Sequence, residues 1–443
     1  MNSQINDHDS TTKPSDPPAP ANTSSISMGT TIIFAIASGL SVANIYFAHP
    51  LLDTMAADFG IAPSVIGLII TLTQIGYACG LLFIVPLGDI LDRRKLIVAQ
   101  GLLSAIALTV VATTRNEAML FIAMVAVGLL AVVVQVLVAY AAMLASPTTR
   151  GKTVGMVTSG IVVGLMLARF VSGVLADLGG WRTVYMTSAI TTLLMAAVLY
   201  RILPREAAPR SSVSYPLLLR SVLTLFVQEP ILRIRAILAL LLFAAFSAFW
   251  TALVLPLSAP PYAMSHTQIG LFGLAGLAGI FAASGAGPLA DRGLGQWTSG
   301  ISLLLLLISW GFIALLDSSI LALVIGVVIL DLAVQAVHVT NQSMIFAIQP
   351  EAHSRLVAGY MLFYSIGSAI GAIASTAIYE RAGWNGVCIL GATISIVGVV
   401  FWATTAHIGR AQCQTALPSS PLCLKPLNVA KKQADTPKPQ HIK

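Results

Sequence analysis

Four polar side chains share one face of a predicted helix that runs from about 320 to 348. They are Asp331, Gln335, His338 and Gln342, and Asn341 lies beside them. At about 100° per residue their spacing places the four in one narrow stripe. Asp and His exchange protons readily, so the stripe is suited to a proton path or a polar ligand. The structural alternative is hydrogen bonding between helices, worth about 0.6 kcal/mol per contact.

A second charge stands inside another apolar segment. Arg169 is the single charged residue in a run from about 153 to 176. Charges at such positions are costly unless they are paired or face a water-filled path. Counted from the segment midpoints, Arg169 and Asp331 lie at similar depths, about 5 to 7 Å from the middle at 1.5 Å per residue. We expect Arg169 to pair with Asp331 or to bind an anionic substrate; the alternative is that it reaches the outer surface.

The composition around these charges is that of an integral membrane protein. Hydrophobic residues make up 57% of the chain, charged residues 9%, and the mean hydropathy is +0.88. Soluble domains do not reach these values. A helix needs about 20 apolar residues to cross a bilayer, and helices are expected because lipid offers the backbone no hydrogen-bond partner. Twelve such runs occur, at about 30–52, 65–87, 96–114, 118–144, 153–176, 183–203, 234–257, 267–290, 297–316, 320–348, 355–379 and 386–406.

The second half of the chain repeats the first in diverged form. The segment Pro86-Leu87-Gly88-Asp89 returns 202 positions later as Pro288-Leu289-Ala290-Asp291. This period is too long for a solenoid unit and predicts two homologous six-helix bundles. Asp331 has no acidic counterpart in the first half, where the equivalent residue is Ala131. The charges that the halves do not share are therefore the candidates for chemistry.

The apolar runs also divide the chain into parts. We predict a disordered tail over 1–28, a bundle over 29–203, a linker with an amphipathic helix over 204–233, a second bundle over 234–406 and a polar tail over 407–443. With the N-terminus inside, three cations lie in outer loops and one within a span, which leaves 20 of the 24 inside. The positive-inside rule then predicts two cytoplasmic termini. The net charge of +7 reflects this topology rather than nucleic-acid binding.

Together these features resemble the major facilitator superfamily over nearly the whole ordered chain. The loop signature of that family is matched by Leu87, Gly88, Asp89, Arg93, Arg94 and Lys95, with departures at Val85, Ile90 and Asp92. Asn44-Ile45-Tyr46 and Asn341-Gln342-Ser343 look most like the bacterial drug:proton antiporter-like branch, although Leu165 and Ala168-Arg169 depart from the antiporter signature. The resemblance implies an all-α integral membrane fold of twelve helices in two pseudo-symmetric bundles.

The resemblance also implies a gate in the loop after the second span. Asp89 would bond the N-terminus of a neighbouring helix, while Arg93 and Arg94 would pair across the bundle interface. Asp291 and Arg292 would form a weaker second gate. The alternative is that these charges only anchor the loop at the inner surface.

In the architecture of that family, the first, fourth, seventh and tenth spans line a central cavity. The stripe on the tenth span would therefore face the substrate path. Asn44 and Tyr46, in the first span, are further candidates for contacts in a mostly apolar pocket. We predict that they join Arg169 and the stripe in a substrate and proton pathway.

The sequence thus predicts a secondary active transporter, favouring proton-coupled export of a small amphipathic compound or metabolite by alternating access. Uptake by proton symport or facilitated diffusion is the alternative, and a non-transporting membrane sensor is the alternative of another class. Without a P-loop, a nucleophile–base motif or a metal-ligand cluster, we expect no enzyme, no metal and no cofactor beyond the proton gradient. The expected partners are a small-molecule substrate, protons and membrane lipid, but no nucleic acid, for a monomer in the cell inner membrane.

Overall fold

The all-α membrane fold predicted from the sequence is confirmed. The computed structural model describes residues 27–146, 149–204, 215–276, 279, 282, 285–286, 289–346 and 353–415, which contain helices and no β-strand. In this part of the chain, 10 helices are long and apolar enough to cross a membrane. The last two predicted spans form one helical stretch that turns at Gly383 (φ 60°). The eighth predicted span, 267–290, lies only partly within the described residues.

Within the residues that the structure describes, the first half contains eight α-helices. They are α1 (Met28–Tyr46), α2 (Leu52–Phe59), α3 (Leu68–Phe83), α4 (Arg93–Thr113), α5 (Glu117–Ala131), α6 (Val133–Leu144), α7 (Arg150–Gly179) and α8 (Trp181–Ile202). Polar side chains cap several of them: Asp92 accepts a bond of 2.9 Å from the backbone N–H of Arg94 at the start of α4. A 3₁₀ turn at His49–Leu51 joins α1 to α2, so the pair acts as one span.

The second half begins with a helix that lies in the predicted linker. Its elements are α9 (Tyr215–Gln228), α10 (Pro230–Ala252), α11 (Val254–Ser258), α12 (His266–Ala275), α13 (Gly295–Ile313), α14 (Ile320–Phe346) and α15 (His353–Thr415). The Tyr215 hydroxyl donates to the carbonyl oxygen of Phe83 at 2.7 Å, and Phe226 stacks on Phe363 at 5.0 Å. Helix α9 therefore touches both halves.

Most contacts between the halves occur at one end of the molecule, here called the closed end (residues 64–71, 169–177, 266–273 and 369–376). Helix α7 packs on α12 there, and α3 packs on α15. The Thr71 hydroxyl donates to the carbonyl oxygen of Ala369 at 2.8 Å, and the Thr376 hydroxyl to that of Ser64 at 3.0 Å. The opposite end, which carries α9 and the loop Val85–Asp89, is called the linker end. Among the described residues, the halves are thus joined most extensively at the closed end.

Glycine permits this close approach, since a side chain at the contact would meet backbone. A Cβ on Gly173 would overlap the carbonyl oxygen of His266, and a Cβ on Gly67 would overlap that of Ala372. Small residues commonly serve close packing of membrane helices in this way. Gly155 lies on the same helix as Gly173 and has nothing within 4 Å of its Cβ position.

Replacing Gly173 by valine should open the closed end, because the added side chain cannot fit against His266. Overpacking costs about 1–3 kcal/mol, which shifts the ratio of closed to open molecules roughly 5- to 150-fold. Distances between spin labels on Leu178 and Ser318 would report the change. Gly155→Val is the matched control and should leave the distances as in the wild type. Unchanged distances in Gly173→Val would show that this contact does not hold the end shut.

Candidate functional site

Three helices bring Arg169, Trp250 and Asp331 together where the two halves meet. Arg169 lies on α7 of the first half, and Trp250 and Asp331 lie on α10 and α14 of the second. The guanidinium carbon of Arg169 is 3.8 Å from the centroid of the Trp250 ring. The indole N–H of Trp250 donates to Asp331 Oδ1 across 3.4 Å. Trp250 is therefore in contact with both charges, each of which is only 1% exposed.

Arg169 and Asp331 do not form a contact ion pair. Both residues are described, and no nitrogen of Arg169 lies within 4.0 Å of an Asp331 oxygen. Nε and both Nη atoms of Arg169 are buried without a hydrogen-bond partner, and so is Oδ2 of Asp331. The two charges are neighbours through Trp250, and each keeps unsatisfied polar atoms.

Aromatic rings enclose the guanidinium and continue along α10. The guanidinium carbon lies 5.2 Å from the Tyr46 centroid and 5.5 Å from that of Phe246. Phe246 contacts Phe243 at 5.8 Å, and Phe243 lies 4.0 Å from Tyr364. The hydroxyl groups of Tyr46 and Tyr364 are hydrogen-bonded across the halves. These rings form a row from Arg169 toward the linker end, here called the ring row (Tyr46, Phe243, Phe246, Trp250 and Tyr364).

The polar stripe on α14 lies next to the ring row. Nδ1 of His338 is 2.9 Å from the Tyr360 hydroxyl, and its ring meets Phe243 edge-on at 5.2 Å. Gln335 is buried and packs beneath Gly279, whose Cβ position is 2.8 Å from Gln335 Cγ. Gln342 is half-buried. The stripe thus lies within the protein, on the side of α14 that holds Asp331.

A second buried arginine, Arg235 on α10, was not expected from the sequence. It is 1% exposed, and its Nη1 donates to Ser299 Oγ at 3.0 Å and to Asn341 Oδ1 at 3.1 Å. From its position near the start of a span, the sequence assigns Arg235 to the cations at the cytoplasmic surface. The sign that it is buried is its position five residues beyond Pro230, inside the helix. Asn341, predicted for the pathway, is a partner of this arginine.

Asn44 lies apart from the ring row. Its Oδ1 accepts a hydrogen bond of 2.5 Å from the Ser188 hydroxyl on α8, within the first half. Tyr46, two residues later, is part of the cluster around Arg169. The structure therefore separates two residues that the sequence grouped together.

The residues of the proposed gate contact their own half in this structure. Arg93 Nη2 is 3.3 Å from Asp89 Oδ1, and Arg93 Nε donates to the Gly88 carbonyl oxygen at 2.8 Å. The guanidinium of Arg94 lies 4.6 Å from the Tyr200 ring centroid on α8. In the second predicted gate, the side chain of Asp291 lies outside the described residues, and Arg292 is exposed.

A charged cluster joins the halves at the closed end. Asp177, on α7, accepts from the backbone N–H groups of His266 at 3.1 Å and Thr267 at 2.8 Å, so it binds the N-terminus of α12. His266 Nδ1 is 3.0 Å from Asp177 Oδ1, and Nε2 is 3.4 Å from Asp53 Oδ1. The Asp53 carboxylate raises the pKa of His266, partial burial acts against this, and Asp177 adds to the increase.

Comparison with known proteins identifies the family. The sequence profile of the Major Facilitator Superfamily matches residues 34–300 and, in a second match, residues 236–419. The chain belongs to the major facilitator superfamily. It is accordingly a multi-pass membrane transporter and not an enzyme, since the members of this family are transporters.

Curated relatives of this major facilitator protein are themselves named only as transporters. The putative uncharacterized transporter YgaY of Escherichia coli K12 is 47% identical over 376 residues, 85% of this chain and 95% of that protein. The probable transporter SCO4007 of Streptomyces coelicolor is 31% identical, covering 84% of this chain and 86% of that one. Their names support the transporter class and leave the substrate open.

A solved structure shows the same fold. A bacterial homologue of the human lysosomal transporter Spinster, in an inward-facing and occupied conformation, has a TM-score of 0.70 at 13% identity. The match covers 86% of this chain and 96% of that one. At this identity the likeness concerns the fold alone.

In this major facilitator protein the His266 cluster should make the closed end sensitive to pH. Protonated His266 is held by Asp53 and Asp177 when the end is shut, so its pKa is higher there than its usual 6.5. The resulting stabilisation is fully present below about pH 6.5 and is lost as the pH rises through the raised pKa. Closure should therefore be favoured by acid.

Measuring the distance between labels on Leu178 and Ser318 from pH 5 to 9 tests this expectation. The wild type should open as the pH rises, with a change in the population ratio of up to about fivefold, the range of partly exposed ion pairs. His266→Gln should abolish the pH response. Asp58→Asn is the control, because Asp58 pairs with Arg182 at the same end but within one half. A His266→Gln variant with the wild-type response would contradict the assignment.

Proposed function

We propose that this transporter couples the movement of a small amphipathic compound to protons, and that Asp331 is the proton-binding group. The observation that carries the proposal is the position of this carboxyl group. It is buried at the junction of the halves, Oδ1 bonds Trp250, and Oδ2 has no partner. A buried, incompletely paired carboxylate is costly, so its charge depends on the groups that face it.

Movement of the two halves relative to each other would change which groups face Asp331. Arg169 belongs to the first half and Asp331 to the second, whereas Trp250 shares a half with Asp331. Rocking of the bundles would therefore alter the Arg169 to Asp331 distance and leave the Trp250 bond in place. A carboxyl group whose cationic neighbour depends on the conformation binds protons differently in the two states. This difference is what coupling requires.

The orientation proposed for the protein follows from its cations. Arg93, Arg94 and Lys95 lie at the linker end, and the chain's Lys and Arg residues are concentrated in the loops and tails of that side. By the positive-inside rule the linker end faces the cytoplasm of the inner membrane, with both termini there. The closed end would then face outward.

Export in exchange for protons is the direction that the resemblance to the antiporter branch favours. Uptake together with protons is the second candidate, favoured by the cation Arg169 beside Asp331. An uncoupler separates them in intact cells, because it raises accumulation of an exported compound and lowers that of one taken up by symport. A sensor that does not transport would bind a ligand without any flux.

Asp331→Asn should uncouple transport from protons, since an amide of the same shape cannot release one. In proteoliposomes, compounds would be screened for proton movement with an internal pH dye, and the active compound would then be assayed by counterflow. The variant should lose proton movement by about 100-fold or more while retaining counterflow. Asp317→Asn, at an exposed carboxyl, is the matched control. Proton movement that persists in Asp331→Asn would rule out this coupling role.

We also propose that Asp89 acts as a gate when the linker end closes. Its bond to Arg93 holds it within the first half here, and α9 lies beside the same loop. Asp89→Asn should leave expression and ligand binding intact but slow transport by roughly threefold to tenfold, as loss of a half-exposed charge contact predicts. Initial rates in proteoliposomes measure this. A wild-type rate would assign the loop to membrane anchoring alone.

A further inference from the structure

Arg169 differs from Arg235, which is also fully buried, in the hydrogen-bond partners of its guanidinium. Arg235 donates to Ser299 and Asn341, and its nitrogens are not among the unsatisfied buried atoms. All three nitrogens of Arg169 are buried without an acceptor. A guanidinium carries five N–H donors and cannot be deprotonated at physiological pH. Burial without acceptors is expensive, so such a group needs an acceptor supplied from elsewhere.

The contacts of Arg169 leave its donors without acceptors while an aromatic ring covers the cation. The guanidinium carbon lies over the Trp250 ring, 3.8 Å from the ring centroid, which is a cation–π contact. Such a contact supplies no acceptor oxygen, so the nitrogens remain without a hydrogen-bond partner. The N–H edge of a guanidinium can hold two oxygens of a carboxylate side by side. The cation–π contact therefore stabilises the cation without using its hydrogen-bonding capacity.

Asp331 does not take this position. It makes no close contact with Arg169, and its Oδ2 lies against the backbone of α12, 2.5 Å from the Cβ position of Gly276. Its Oδ1 is engaged by the Trp250 indole. The Asp331 carboxyl thus has little room for a bulky cationic group, which argues against an amine or a zwitterion as the ligand. The positive charge of Arg169 repels the ammonium group of either.

The ring row supplies an apolar surface next to the free donors. Phe246, Phe243 and Tyr364 continue from the guanidinium toward His338. The cavity beside Arg169 that is lined by His49 and Ile269 is only about 10 Å³, which leaves room for about one water molecule. A ligand's apolar body would therefore extend along the ring row, toward the linker end.

We infer that the transported compound is an amphipathic organic anion, whose carboxylate binds the N–H edge of Arg169 and whose aromatic or apolar body lies along the ring row. The inference rests on the proposed transport function and names the substrate class of the same site. An anion on Arg169 places negative charge beside Asp331, so the anion and a proton bind cooperatively. Ligands that favour each other's binding travel together, so the inference favours the second candidate direction, uptake together with protons.

Binding of a matched series to the detergent-purified protein tests the inference. The probes are 3-phenylpropionate and 3-(2-naphthyl)propionate as anions, 3-phenylpropanamide as the neutral analogue, 2-phenylethylamine as the cation and phenylalanine as the zwitterion. Calorimetry at pH 6 should show that at least one anion binds roughly 10- to 150-fold tighter than the amide, the range of charge-assisted hydrogen bonds. The amine and the zwitterion should bind no better than the amide.

Substitutions test whether Arg169 causes the preference for anions over the amide. Arg169→Gln should remove the advantage of the anion, Arg169→Lys should restore part of it, and Arg201→Gln, at an exposed arginine on α8, should bind like the wild type. The inference is overturned if neither anion outperforms the amide, if the amine or phenylalanine binds tighter, or if Arg169→Gln keeps the preference. The comparison of probes on the wild-type protein decides the substrate class even if the Arg169 variants do not fold.

The pH dependence tests the cooperativity separately. Both carboxylate probes stay ionised between pH 6 and 8, so a change in their affinity reports the protein. Wild-type affinity should fall about tenfold across this range, and Asp331→Asn should bind tightly at both pH values. A flat wild-type profile would overturn co-binding. The binding measurements do not depend on transport, so the two proposals can fail separately. If the anions bind selectively but no proton movement occurs in proteoliposomes, the proposed function is rejected and the substrate class is retained.

Discussion

Three glycines at three-residue intervals, two on α12 and one at its C-terminal end, are the constraint on which the site depends. A Cβ on Gly270 would lie 2.5 Å from the carbonyl oxygen of Arg169, and one on Gly273 would lie 3.0 Å from Arg169 Cβ. On the other side, a Cβ on Gly276 would meet Asp331 Oδ2 at 2.5 Å. Residues three apart lie on one face of a helix, so this face lets α7 and α14 approach α12 together. Without it the two charges would stand farther apart, and Trp250 could not contact both.

The protein handles its buried charges by two different chemical means. Arg235 donates hydrogen bonds to the oxygens of Ser299 and Asn341, and all three residues lie within the second half. Arg169 receives only ring faces, two of them from the opposite half. A hydrogen-bonded charge is held in place in any conformation that keeps its half intact. A charge stabilised by rings across the interface depends on how the halves are arranged, which suits a group that must respond to movement.

The sequence predicted the fold well because the signal is strong at that level. Long apolar runs, the 202-residue repeat and the cation bias are properties of whole segments, and local packing cannot reverse them. The sequence also predicted Asp331 and Arg169 as site residues, since a charge in an apolar run has few structural explanations, and the structure places both against Trp250. The similar depths predicted for the two residues in the membrane agree with their proximity in the structure.

Other parts of the site carried no comparable signal. Trp250 and Phe246 are ordinary residues of a membrane helix, and only the packing of α10 against α7 places their rings on Arg169. The position of Asn341 beside the stripe on α14 made it a pathway candidate together with Asp331, although Asn341 bonds Arg235 and Asp331 bonds Trp250. His266 stands outside the apolar runs, and its acidic partners, Asp53 and Asp177, come from elements distant in sequence. Contacts of this kind depend on tertiary structure rather than on any local pattern.

The closed end and the central site are parts of one mechanical unit. Asp177 and Arg169 are eight residues apart on α7, about 12 Å at 1.5 Å per residue, and His266 begins the helix that carries Gly270 and Gly273. Any separation of α7 from α12 therefore breaks the Asp177 bonds to His266 and Thr267 and also moves Arg169 away from Trp250 and Asp331. Binding free energies between two such sites are reciprocal. A proton bound at His266 favours the arrangement in which Arg169 and Asp331 are neighbours, and ligands that hold those two charges together must in turn favour the protonated closed end.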